Sequence, residues 1–198
     1  MYKRQVWGLW CKMESIIEIK KLYVSFKEKK ILKGVTFSLY EGECLGLIGG
    51  SGEGKSTILR SIVGLENPTS GQIFFEGKSI AHLDGDDYTE VRKKVSYVFQ
   101  GGALFDSMIV YDNLAFPLRE HTDWSEKKIK ENVSNELKAF ELEGSESTYP
   151  MELSGGMQKR VAIARAIITK PKVILYDCLL YTSPSPRDRT RSRMPSSA

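Results

Sequence analysis

The stretch Gly49-Gly50-Ser51-Gly52-Glu53-Gly54-Lys55-Ser56-Thr57 carries the chain's most specific chemistry. It fits G-x-x-x-x-G-K-[ST], a loop that cradles phosphates. Glycines let backbone N–H groups turn inward and meet phosphate oxygens with no Cβ in the way. A helix starting at Lys55 adds free N–H groups and the positive end of a dipole. Lys55 is spaced to reach β- and γ-phosphates, and Ser56 to ligate Mg²⁺. These residues predict binding of a nucleoside triphosphate. Glu53 sits at a variable loop position and is expected to point to solvent, away from phosphate oxygens.

A second cluster lies downstream, in Leu153-Ser154-Gly155-Gly156-Met157-Gln158. Ser154 is a natural N-cap, and Gly155 and Gly156 leave N–H groups bare at a helix start, as a second anion site requires. The plainer reading is an ordinary helix cap with a flexible turn. A third cluster is the apolar run Val173-Ile174-Leu175-Tyr176, ending in Asp177.

Strands and helices must hold these groups in place. Cys44-Leu45-Gly46-Leu47-Ile48 reads as a buried strand feeding the loop, and Lys55–Leu65 as the helix behind it. Ile16–Lys20, Leu22–Phe26, Ile31–Leu39, Gln72–Phe75, Val95–Phe99 and Val173–Asp177 are rich in strand formers. Tyr40-Glu41-Gly42 is a turn. From Trp124 to Phe140, Ile129, Val133, Leu137 and Phe140 fall on one helical face. Val161, Ala164 and Ile168 do the same after Ser154. Strands alternating with helices, and polar groups at strand C-termini, predict a parallel α/β core.

Size and charge narrow the class. The chain has 198 residues, 41% of them hydrophobic, enough for one domain with room for an inserted subdomain. Charged residues make up 27%, and no apolar run approaches a membrane span. The formal net charge is +4, but the basic residues sit at the ends. Lys3, Arg4 and Lys12 precede residue 13, and Arg187, Arg189, Arg191 and Arg193 follow Asp177. The part between is net acidic, which argues against a nucleic-acid partner. Cys11 and Cys178 fall in the end segments, and Cys44 reads as a small core residue. No disulfide framework or zinc site is indicated, consistent with a reducing compartment.

In this order, the phosphate loop, LSGGM and VILYD resemble the nucleotide-binding domain of ABC transporters, whose signature reads LSGGQ. The resemblance covers about residues 13–177. It implies a P-loop NTPase core of the α/β class. Its sheet would be mixed and RecA-like, with an inserted helical subdomain at about 101–152 and the C-terminal part of the core missing. It implies ATP and Mg²⁺ as cofactors, held by Gly49, Gly50, Ser51, Gly52, Gly54, Lys55, Ser56, Thr57 and Gln100. Asp177 would hold Mg²⁺ through water, with Ser56 and Gln100 completing the metal set. Phe26 would stack on adenine, with Tyr23 as a rival. Ser154, Gly155, Gly156 and Met157 would face the ATP of a second ATPase subunit in a head-to-tail dimer. The implied catalytic set is Lys55, Gln100 and Asp177. The family's general-base Glu is absent, with Cys178 in its place. The switch histidine is absent too, because His82 and His121 both precede the signature. The polypeptide as written is expected to bind ATP weakly or not at all, and not to turn it over.

Phe99–Ser107 and Asn113–His121 resemble one branch, the ATPase subunit of Mce-type phospholipid transporters, including the bacterial Mla system. That implies ATP-driven phospholipid transport across the envelope. The subunit would sit at the cytoplasmic face of the inner membrane, peripheral, with permease subunits docked near Gln100–Glu120. The alternatives are another ABC importer, such as one for amino acids, or a soluble non-transport ABC protein. The single cassette, short insert and acidic core disfavour the last. Both ends resemble a translated sequencing-library adapter. Residues 1–12 are therefore expected to be a non-native leader and 178–198 a non-native tail, with Met13 the native start.

Overall fold

The structure is a computed structural model that describes residues 14–27, 29–50, 52–81, 83 and 87–177. Ser51, His82, Cys178 and both end segments lie outside the described residues.

Two strands dominate the first layer. β1 (Ser15–Phe26) pairs antiparallel with β2 (Lys29–Tyr40) on one side and with β3 (Ser70–Phe75) on the other. A short β4 (Lys78–Ser79) completes the order β2-β1-β3-β4. The sequence reads as two strand segments parted at Lys21. The structure joins them into one strand with a bulge, where Lys21 adopts φ 46° and the register shifts on both pairings. Ile17, Ile19, Leu22 and Val24 are buried on this strand. The step from Ile19 to Leu22 absorbs the extra residue and returns the apolar face to the core.

The second layer is a parallel pair, β5 (Val95–Val98) and β6 (Val173–Tyr176), with Val95 opposite Val173 and Val98 opposite Tyr176. α1 (Lys55–Ile62) and α2 (Asp87–Lys94) complete this half of the molecule. α1 stops short of Leu65 because Gly64 turns the chain with φ 68° and Leu65 N–H closes onto Arg60 C=O at 2.9 Å. Ile58, Ile62, Val91, Val95, Val173 and Leu175 share one core with β1 and β3. Glu76, after β3, accepts hydrogen bonds from Lys172 and Lys94, tying the turn beyond β3 to both parallel strands. Those two bonds, Lys172 first, hold its carboxyl below the usual range.

A second core is helical. α3 (Val110–His121), α4 (Glu126–Ala139) and α5 (Gly155–Ile167) enclose Leu114, Leu118, Ile129, Val133, Leu137, Val161 and Ala164. Residues 99–172 connect β5 to its parallel neighbour, so the helical part is the crossover between them. Its core runs past residue 152 into α5.

One strand expectation fails. Residues 43–50 form no strand, Ile48 is 99% exposed and Cys44 is exposed instead of packed in a core. An apolar run becomes a buried strand only when neighbouring strands satisfy its backbone. Leu45, Gly46 and Leu47 instead form one wall of a cleft, and Ile174, Leu175 and Tyr176 belong to the facing lining. Among the described residues β6 pairs only with β5.

Candidate functional site

Gly54 sets the geometry of the phosphate loop. It caps α1 with φ 90° and ψ 13°, in the left-handed region. A Cβ there would stand 2.7 Å from Leu32 Cδ2 and 2.8 Å from Ile31 Cγ2. Backbone strain and overlap therefore act together, and Gly54→Ala is expected to cost about 2–3 kcal/mol of folding stability. Urea denaturation checks this. An unchanged midpoint would show that β2 yields to the added methyl.

From that cap the chain enters α1, and its first residues carry the chemistry. Lys55 Nζ donates to Gly49 C=O at 2.8 Å and Gly50 C=O at 2.5 Å, folding the ammonium over the loop. Ser56 Oγ donates to Asp177 Oδ1 at 2.8 Å across 121 residues of sequence. Tyr97, on β5, donates its hydroxyl to Asp177 Oδ2 at 2.8 Å. Burial first, then the bond to Asp177, push the Tyr97 hydroxyl up to about 12, so it remains a donor at neutral pH. Asp177 N–H donates to Val98 C=O at 2.9 Å, which fixes the acid at the end of the parallel pair. Tyr97 was not foreseen. Its signal was slight, one hydroxyl in a strand otherwise read as apolar.

A cleft of about 970 Å³ gathers Phe26, Gly52, Gly54, Lys55, Ser56, Thr57, Gln100 and Asp177 in its lining. Gly49 and Gly50 contribute to the loop through the lysine contacts. The two adenine candidates part company: Phe26 lines the cleft and is 46% exposed, whereas Tyr23 lines a separate shallow pocket with Lys20 and Lys21. Ser56 Oγ and the Asp177 carboxylate are hard oxygen donors side by side, a pair that suits Mg²⁺. Among the described residues no cluster of three His, Cys, Asp or Glu could hold a metal alone. A cation here would complete its shell with oxygens from water or a nucleotide.

Glu53 departs in part from expectation. Its side chain is exposed, as expected, but Oε2 accepts from Gly50 N–H at 2.6 Å, so the carboxylate turns back onto the phosphate loop. Bare backbone N–H groups of a glycine-rich loop attract a carboxylate within reach, and Glu53 lies three residues on from Gly50.

The signature turn lies elsewhere. Ser154 caps α5 by accepting from Met157 N–H at 3.3 Å. Ser154, Gly155 and Gly156 are exposed, and nothing stands within 4 Å of a Cβ built on either glycine. None of them lines the cleft. Met157 is half-buried against the helical core, so its side chain serves packing.

The ABC transporter family model matches residues 32–178. TRIGALACTOSYLDIACYLGLYCEROL 3 of Arabidopsis thaliana is 45% identical over 90% of this chain and 52% of its own length. The intermembrane phospholipid transport system ATP-binding protein MlaF of Haemophilus influenzae is 39% identical over 83% of this chain and 62% of its own. The dimeric structure of MJ0796, a bacterial ABC transporter cassette, superposes with a TM-score of 0.76 at 34% identity, covering 81% of this chain and 73% of that one. The chain thus spans about half to three quarters of the length of these relatives. On the family match and on the loop, signature and acid it contains, this chain belongs to the ABC transporter ATP-binding family.

Proposed function

We propose that this chain is the nucleotide-binding part of an ATPase subunit that drives phospholipid movement across a cell envelope. The observation that carries the reading is a single cleft in which Phe26, Lys55, Ser56, Gln100 and Asp177 converge from distant parts of the sequence. The likeness to the MlaF phospholipid-transport protein supports the cargo.

The residues divide the work. Phe26 offers an aromatic face for adenine. Lys55 and the amides of Gly50, Gly52 and Gly54 bind the phosphates. Lys55 also neutralises charge as it develops on the γ-phosphate. Ser56 and Asp177 would hold Mg²⁺, which when bound supplies further neutralisation between the phosphates. Tyr97 keeps the Asp177 carboxylate aimed at Ser56. Gln100, at the end of β5, orients the attacking water's side of the cleft. The exposed Ser154 turn presents its amides to the ATP of a second ATPase subunit in a head-to-tail dimer. Cys178, in the place of the general-base Glu, offers no carboxylate to accept the water's proton, so this chain is expected to bind ATP weakly at best and not to turn it over.

The permease dock lies on the helical part, between Gln100 and Glu120. Phe105 and Phe116 are both partly exposed and pack edge to face with ring centroids 5.1 Å apart. Paired surface aromatics suit a partner helix. Docked there on a permease, the subunit would sit at the cytoplasmic face of the inner membrane. No helix among the described residues is long and apolar enough to cross a membrane. Co-purification with a permease subunit tests this reading. Phe105→Asp is expected to reduce recovered permease at least about tenfold, the scale of losing an aromatic anchor. Permease recovery unchanged by the substitution would count against the dock.

A further inference from the structure

The contact between Glu53 and Gly50 has a consequence for ligand entry. Oε2 lies 2.6 Å from Gly50 N, a short charge-assisted hydrogen bond. The same oxygen would lie 2.5 Å from a Cβ built on Gly49, and Oε1 3.2 Å from one built on Gly50. The carboxylate therefore rests against the bare backbone of both glycines, the surface a phosphate needs. Lys55 bonds the carbonyls of the same two residues. The first turn of α1 carries no acid of its own; Asp177 meets it at Ser56, and Glu53 meets the loop that leads into it. Its side chain is exposed and can swing away without unpacking anything.

We propose that Glu53 is a built-in competitor for the phosphate site: its carboxylate occupies the Gly50 amide and must leave before a nucleotide phosphate can bind. This rests on the reading of the cleft as an ATP site. A phosphate oxygen and a carboxylate oxygen want the same N–H group, and two anions at one amide repel each other. The residue thus lowers nucleotide affinity and sets the ligand concentration at which the loop fills.

The test compares the full chain with Glu53→Ala and Glu53→Gln. Mg-ATP affinity is measured by equilibrium titration, and Gly50 amide exchange by NMR without nucleotide. Glu53→Ala is expected to bind Mg-ATP at least about fivefold more tightly, with Glu53→Gln in between because a neutral amide accepts more weakly. Gly50 N–H is expected to exchange faster in Glu53→Ala than in the parent chain. If the parent binds Mg-ATP and both variants bind equally or more weakly, the proposal is overturned and the ATP reading stands. Unchanged Gly50 exchange in Glu53→Ala also overturns it. If none of the three binds Mg-ATP, the ATP reading fails and the proposal falls with it.

Discussion

Lys55→Ala is expected to raise the dissociation constant for Mg-ATP by about 10²–10³-fold. Hydrogen bonds to charged groups contribute about 1.5–3 kcal/mol each, and Lys55 meets the most highly charged part of the ligand. Screening is incomplete in a cleft, so the loss of a unit charge beside the phosphates adds to the loss of the bonds. The substitution also deletes the two bonds to the carbonyls of Gly49 and Gly50, which hold the loop's shape. Lys55→Met removes the charge and the same two bonds while keeping the apolar stem, so it controls for lost packing. It is expected to lose as much affinity as the alanine variant. Equilibrium titration with a fluorescent ATP analogue, beside thermal unfolding of each variant, is the measurement. Saturable binding within threefold of the parent in both variants would remove Lys55 from the site.

The parts of this site that were legible in the sequence are those encoded by local chemistry. Gly49–Thr57 announce a phosphate loop because glycine density, lysine and hydroxyls sit within one turn of chain. Ser154 announces a helix start because its side chain answers an N–H three residues on. The strand content was legible where alternation is strong, as in β1, whose bulge at Lys21 is the point where the alternation breaks. What was not legible depends on neighbours. Leu45, Leu47 and Ile48 have strand composition, but composition does not say whether another strand lies alongside. Here the segment borders a cleft, and Ile48 is almost fully exposed. α2 escaped notice because, among its described side chains, only Tyr88 and Val91 are buried, too few to show a period. α3 was hidden by Pro117, an interior residue that argues against a helix locally. Its apolar face, Val110, Leu114 and Leu118, packs into the helical core and overrides that preference. The Glu53 contact spans only three residues, yet the same acid could as well have faced solvent. Distances in space decided it.

Asn113 shows the same limit at longer range and carries the second large effect. It is the buried polar centre of the helical part, 0% exposed. Oδ1 accepts from Phe105 N–H at 2.9 Å, while Nδ2 donates to the carbonyls of Phe105, Met108 and Ile109 at 3.1, 2.9 and 3.2 Å. Arg165, from α5, reaches the same Oδ1 at 3.4 Å and donates to the carbonyls of Gly102 and Ala103. One amide and one guanidinium thereby satisfy the backbone of the segment that carries Phe105, the proposed permease contact. Asn113→Ala leaves the Phe105 N–H without its acceptor and takes the amide donor from the Met108 carbonyl, at about 1–3 kcal/mol for each one that water cannot reach, while the Phe105 and Ile109 carbonyls keep the backbone N–H groups of Met108 and Asn113. The segment is partly exposed, so water recovers part of this, and the net cost is expected to be about 2–3 kcal/mol. Chemical denaturation reads the total. Amide exchange then locates it: Phe105 N–H is expected to exchange about a hundredfold faster, because local opening tracks the lost free energy. Amides of β1, such as Ile19, lie in the other core and should lose protection only as far as global stability falls. Equal acceleration of Ile19 and Phe105 would show that Asn113 supports the whole fold and not this segment. A change under about 1 kcal/mol would mean that Arg165 alone suffices to hold it, and the permease contact would then survive the substitution.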